Sequence, residues 1–182
     1  PDIFEDPEKG EEAKKLFDDA KNMLDRIIEE KILTAKAMVG LFPANSVDES
    51  IEIYEDESRK NILWTFETPR QLIKRSEGAT HFALSDFIAP KDSGITDYIG
   101  TVVVTAGLGA EAFADHFKGK DDDYDAIMVK MLADRLAEAF AECLHAKVRK
   151  QVWGYASDEN LSKNDAFMMK YQGIRPAPGY PT

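Results

Sequence analysis

The sequence predicts an α+β fold: an antiparallel sheet flanked by helices, with one long helix in the C-terminal half. Three observations predict it. Apolar residues recur at intervals of three and four near the N-terminus and again beyond Gly109. Between those stretches lie several short runs of β-branched and aromatic residues. Mostly short connections join the runs, which favours antiparallel neighbours. The 182 residues suit one domain, since domains run roughly 100 to 200 residues, and no repeat or low-complexity linker divides them, so residues 1–182 are expected to form one unit.

From Asp6 onward, Ala13, Leu16, Phe17, Ala20, Met23, Leu24, Ile27 and Ile28 form the stripe of an amphipathic helix, with charged residues on the other face. Ala37 to Leu41 reads as a short buried strand ended by a turn at Pro43. Ile51, Ile53 and Tyr54 mark one strand and Asn61 to Thr68 another, with the polar EDESRK as their hairpin connection. A brief helical pattern around Gln71 to Lys74 leads to HFALSDF, where Phe82 and Leu84 alternate with Ala83 and Ser85 as strand residues do. After the loop IAPKDSGITDYIG comes a strongly β-prone run, Thr101 to Gly107.

Ala110 to Phe117 is expected to be a short helix ending at Gly119, and the acids Asp121 to Asp123 suit the start of the next helix. That helix is the longest. Its expected stripe is Ile127, Met128, Met131, Leu132, Leu136, Phe140, Cys143, Leu144, Val148 and Val152, with Lys147, Arg149 and Lys150 complementing its C-terminal end. Ser162 or Asn164 can cap a last short helix before Gly173, and the prolines of IRPAPGYPT make the tail an extended, stiff loop.

The formal charge of −11 repels phosphate backbones and anionic headgroups, which argues against nucleic acid and membrane surfaces as partners. With no long apolar run and no leader-like segment, a cytoplasmic location is expected. The single Cys143 lies among apolar residues and reads as a small buried hydrophobe rather than a reactive thiol. His81, His116 and His145 share no ligand spacing and read as solvated or capping side chains, and no metal site is expected. P-loop, dinucleotide-turn and nucleophile-elbow motifs are missing from the sequence, and GLGAEAF at Gly107 to Phe113 lacks the third spaced glycine of a phosphate-binding turn.

Arg175 is the most informative side chain. An Arg held in stiff backbone loses little entropy on forming a bidentate pair with a carboxylate or phosphate; the competing reading is a loop that packs over the helices. Pro176, Ala177 and Pro178 can offer carbonyl acceptors to an adenine amino group or a cationic ligand. Glu138 lies close to the apolar stripe and needs a partner, either a neighbour such as Arg135 or a ligand ammonium. Together Glu138 and Arg175 would hold both ends of an amino-acid zwitterion.

Four stretches resemble a known family in the same order along the chain: VGLFPAN (Val39 to Asn45), DFIAPKDSGITDYIG (Asp86 to Gly100), DDYDAIMVKMLADRLAEAFAECLH (Asp122 to His145) and YQGIRPAPGYP (Tyr171 to Pro181). The family is the activation domain of cobalamin-dependent methionine synthase. The resemblance implies a single C-shaped domain with a twisted antiparallel sheet. It implies S-adenosylmethionine (AdoMet) as ligand, with Arg175, Glu138, Pro176, Ala177, Gly179 and Tyr180 at the binding site and no catalytic acid or base. It further implies a role in methionine biosynthesis: cobalamin carried by a neighbouring domain, oxidised to cob(II)alamin, is restored to methylcobalamin with a methyl group from AdoMet and an electron from flavodoxin or a flavoprotein reductase.

Zinc is implied only in a separate domain of the full methyltransferase. Where some members carry an acid before the Tyr-x-Gly-Ile-Arg stretch, this chain has Met169 and Lys170. The family pattern also begins earlier and ends later, so an upstream Asp and a downstream Tyr of the family site are expected to lie outside this chain, weakening AdoMet binding. A docking module for the cobalamin domain and a flavoprotein donor is the alternative reading, with Lys147, Arg149 and Lys150 either a docking patch or ordinary helix-end charge.

Overall fold

The Asp122 carboxylate accepts a hydrogen bond from the Asp125 amide at 3.1 Å, and the longest helix of the chain starts from that cap. A computed structural model describes residues 2–72 and 78–176, which group into two compact units, one from residues 2–37 and 103–176 and the other from the described residues between 38 and 102.

The first unit is helical. Helix α1 (Gly10–Glu29), helix α2 (Ala110–Lys118) and helix α3 (Asp123–Lys147) enclose a core of Met23, Ile27, Ala110, Ala114, Phe117, Ala126, Met128, Val129 and Ala133. The alanines let the helix backbones approach closely, which is why small residues carry this contact. The buried stripe of α3 thus runs through Ala126, Val129 and Ala133, and the expected stripe members Ile127, Met131 and Val152 are exposed. On α1 only Met23 and Ile27 of the expected stripe are fully buried, while Leu16, Phe17 and Ile28 are exposed. Gly109 stands before α2 at φ 103°, and a Cβ there would lie 2.7 Å from the Ile32 carbonyl oxygen, so the entry to α2 requires glycine. A short helix α4 (Lys163–Phe167) is capped by Ser162, whose Oγ accepts from the Asp165 amide at 3.1 Å.

The second unit takes in residues 38–102 of a four-stranded sheet in the order β3-β2-β1-β4, with strands β1 (Thr34–Val47), β2 (Ser50–Tyr54), β3 (Ile62–Glu67) and β4 (Asp97–Leu108). Strand β2 pairs antiparallel with both β1 and β3, as the hairpin reading requires. Two expectations are corrected here. Strand β1 does not stop at Pro43: the pairing with β2 begins at Ala44, so the missing proline N–H costs that ladder nothing. The alternating HFALSDF segment is no strand, because Leu84–Phe87 closes into a 3₁₀ turn. The Asp86 carboxylate accepts from the Ala83 amide at 2.9 Å and pairs with Arg70, so a local side-chain bond outcompetes the ladder. The helical pattern expected at Gln71 to Lys74 lies largely outside the described residues, and Gln71 and Leu72 are not helical.

Within EDESRK, Arg59 is an internal staple. It donates to the Ala44 carbonyl at 3.1 Å, to Asn45 Oδ1 at 2.7 Å and to the Asp97 carbonyl at 2.9 Å. Asn45 in turn donates to the carbonyls of Ala89 and Ile95, tying the long loop before β4 to the sheet. The fold is therefore α+β with its longest helix in the C-terminal half, as expected. Among the described residues no helix is long and apolar enough to cross a membrane.

Candidate functional site

Glu138, Glu142, His145 and Arg149 follow one another at intervals of four, three and four, so they form a single polar stripe along the last turns of α3 and beyond. The helix does not end normally. Val148–Val152 form a π-helical turn, in which the Trp153 amide donates to the Val148 carbonyl at 2.9 Å, and Gly154 at φ 81° then reverses the chain. The reversed segment carries Glu159, Tyr171 and Arg175 back to that stripe.

Arg149 is the buried centre. Its Nη2 contacts Glu159 Oε1 at 2.6 Å and its Nε contacts Oε2 at 2.9 Å, a fork-to-fork pair with side chains only 4% and 10% exposed. Its Nη1 donates to His145 Nδ1 at 2.8 Å. Because a guanidinium has no acceptor, His145 carries its proton on Nε2. Burial, then the positive charges of Arg149 and Arg175, lower the His145 pKa to about 4, with Glu159 opposing them, so the ring is neutral at pH 7. Glu159 is held below the ordinary glutamate range by its bonds to Arg149. Tyr171 completes the cluster: the Arg149 guanidinium lies 4.4 Å from its ring centre, and the His145 ring meets it edge-on at 4.8 Å.

Arg175 reaches α3 at Glu142, with Nη2 on Glu142 Oε1. Its Nε is buried and has no partner among the described residues. Glu138, one turn earlier on the same stripe, pairs instead with Arg135 at 2.9 Å in a contact where both side chains are more than half exposed. The structure thus brings Arg175 to the stripe that holds Glu138, but onto the next acid along it. Pro176 follows Arg175 without helix or strand, whereas Ala177, Gly179 and Tyr180 lie outside the described residues, as does Pro178.

Three sequence expectations are overturned. His145 is neither solvated nor a cap but a buried acceptor, and Arg149 is no part of a surface patch, since Glu159 consumes it. Cys143 is exposed, because it lies outside the Ala126, Val129 and Ala133 stripe that packs on α2. Glu142 and the His145/Arg149 pair were missed as site residues although their spacing was readable. The partnership of Arg149 with Glu159 and Tyr171 has no signal in local sequence.

Among the described residues the corner offers a guanidinium with an unused donor, two exposed acids one turn apart and no nucleophile paired with a base. Spare N–H groups on a stiffly held Arg suit a ligand carboxylate, and an exposed acid beside it suits an ammonium. The stripe thus fits the amino-acid end of a ligand. Among the described residues no group of three His, Cys, Asp or Glu side chains is arranged to hold a metal ion.

Two comparisons bear on the chain as a whole. The family model described as vitamin B12 dependent methionine synthase, activation domain, matches residues 1–182. A crystal structure of the MetH reactivation domain bound to AdoHcy superposes with a TM-score of 0.90 at 54% sequence identity; the match covers 100% of this chain and 55% of that one, so this chain spans about half the length of that relative. With the family model matching from the first residue to the last and the fold shared at that identity, the chain belongs to the family of vitamin B12-dependent methionine synthase activation domains.

Proposed function

We propose that this chain binds AdoMet at the polar stripe of α3 and holds it for the reductive methylation of cobalamin carried by another domain of the same methyltransferase. The observation that carries the reading is Arg175, whose buried Nε lacks a partner among the described residues while its Nη2 rests on an exposed acid. A similar chain is bound to AdoHcy, which differs from AdoMet by the transferable methyl and keeps both the amino-acid and adenosine ends. When bound, AdoMet supplies the methyl group.

This chain's residues bind and orient. Arg175 takes the carboxylate, Glu138 the ammonium, and the backbone from Pro176 through Ala177 and Gly179 to Tyr180 lines the adenosine side. The exposed Glu138–Arg135 pair is worth at most about 1 kcal/mol, so it yields to a ligand at little cost. The work is positioning: fixing a ligand in a near-attack arrangement removes an entropic barrier without acid or base chemistry. The cobalamin domain and a flavodoxin or flavoprotein reductase are the protein partners of this reading.

Calorimetric titration tests it. The chain is expected to bind AdoHcy and AdoMet, and Arg175→Ala to weaken both about ten-fold or more, the value of one charge-assisted hydrogen bond. An Arg175→Ala variant with unchanged affinity would overturn the site.

A further inference from the structure

Arg175 is useful only if the segment that carries it is held still, and apart from the Arg175–Glu142 pair itself the segment 171–175 has two described fastenings. One is Tyr171, whose ring contacts Arg149 and His145. The other is Gly173, at φ 86°, where a Cβ would lie 2.9 Å from Tyr155 Oη; Tyr155 also donates to the Gln172 carbonyl at 3.4 Å. Arg149 is itself tied to Glu159 through both Nε and Nη2. The Tyr171 hydroxyl makes no hydrogen bond among the described residues, so its ring is what the cluster uses.

We infer that Tyr171 is a positioning residue for the ligand carboxylate: its ring, seated on the Arg149–Glu159 pair and on His145, fixes the segment from which Arg175 reaches the site. The inference rests on the AdoMet reading above and adds a residue that touches no ligand. A four-residue span is short enough for an anchor at Tyr171 to limit where the Arg175 backbone can stand. The Arg149 guanidinium suits this task because it stacks on the aromatic face as a planar cation while its donors are held by Glu159 and His145. Burial of the Arg149–Glu159 pair gains no evident stability over apolar packing, which fits a device selected for fixed geometry.

The test is a set of dissociation constants for AdoHcy and for 5′-methylthioadenosine, which keeps the nucleoside and sulfur but lacks the amino-acid end. Tyr171→Leu is expected to weaken AdoHcy roughly ten-fold, equivalent to losing one well-placed charged contact. It is expected to weaken methylthioadenosine less than AdoHcy, because that ligand makes no use of Arg175, and Tyr171→Phe restores AdoHcy binding, since the ring is retained. If Tyr171 acts only through Arg175, the double variant Tyr171→Leu/Arg175→Ala binds AdoHcy no more weakly than Arg175→Ala alone.

Additive losses in the double variant, or equal losses on both ligands, overturn the inference. Gly173→Ala disturbs the same segment without touching the buried pair, and covers the case in which Tyr171→Leu fails to fold. It is expected to give the same AdoHcy-selective loss, and wild-type affinity there counts against the inference too. Unchanged AdoHcy binding by Arg175→Ala would instead sink the reading on which the inference stands, so the two failures are distinct.

Discussion

The Arg149 guanidinium donates to Nδ1 of His145 at 2.8 Å, and a cation so placed works against a second positive charge on the imidazole. Around the ring stand Arg149, Arg175, Glu159 and Tyr171, and the balance of burial and charge brings the His145 pKa to about 4, from an ordinary 6.5. The linkage has a definite sign. Between those values the unfolded chain binds a proton that the folded chain refuses, so His145 contributes stability fully above about pH 6.5 and loses it as the pH falls toward 4. The size is on the order of 3 kcal/mol. Denaturant midpoints measured from pH 7 to pH 4 are expected to fall, and to fall less steeply in His145→Asn, which keeps an acceptor facing Arg149. Identical slopes would exclude His145 as the source. The lowered carboxyl groups act at the acid end of this range and below it, since Glu159 and Asp86 lose their contribution as the pH falls from their ordinary values of 4.5 and 3.8 toward their lowered folded values.

Removing the Glu159 carboxylate leaves Arg149 buried and charged with no anion. Breaking one side of such a pair costs about 3 to 5 kcal/mol, far more than the net value of the intact pair. Glu159→Ala is therefore expected to lower the unfolding free energy by about that amount, with chemical denaturation as the measurement. A loss under about 1 kcal/mol would mean that water replaces the carboxylate and that the cluster is wetter than its burial indicates.

Gly109 carries a different constraint. At φ 103° with the Ile32 carbonyl oxygen 2.7 Å from where a Cβ would stand, alanine there meets both backbone strain and a fixed oxygen. Gly109→Ala is expected to destabilise by about 1 to 3 kcal/mol, whereas Gly94→Ala, with positive φ but open space, costs less. Thermal unfolding of the two variants checks the order.

What the sequence revealed follows from how far each signal reaches along the chain. The helix start among Asp121 to Asp123, a cap at Ser162 or Asn164, the hairpin joining the Tyr54 strand to the one from Asn61, and the long C-terminal helix are set by residues a few positions apart; all are present, with Asp122 and Ser162 as the caps. The Leu84–Phe87 turn was misread because alternation describes side-chain faces and says nothing of Asp86 capping Ala83 from within the same segment. Arg175 was legible as a binding candidate from its proline frame, and Glu138 from its nearness to the stripe. The Arg149 cluster was not, since it joins residues 10 apart to Glu159 across a π-turn and to a tyrosine beyond α4, and a basic residue after a helix reads in sequence as end charge.

Glu138 and Glu142 are one helical turn apart, and only one of them has to be the partner of the ligand ammonium. Glu142 already engages Arg175. A ligand carboxylate arriving at Arg175 must displace that acid or share the guanidinium with it, and the negative charge of Glu142 repels the incoming group. Glu142→Gln removes the competitor, so AdoHcy affinity is expected to stay level or to rise by a few-fold. In the proposed reading Glu138→Gln removes the ammonium's partner and releases only an exposed pair with Arg135, so affinity is expected to drop by roughly ten-fold. Calorimetry on the two variants separates the roles: a loss confined to Glu142→Gln would move the ammonium one turn along α3 and make the contact with Arg175 part of the binding site itself.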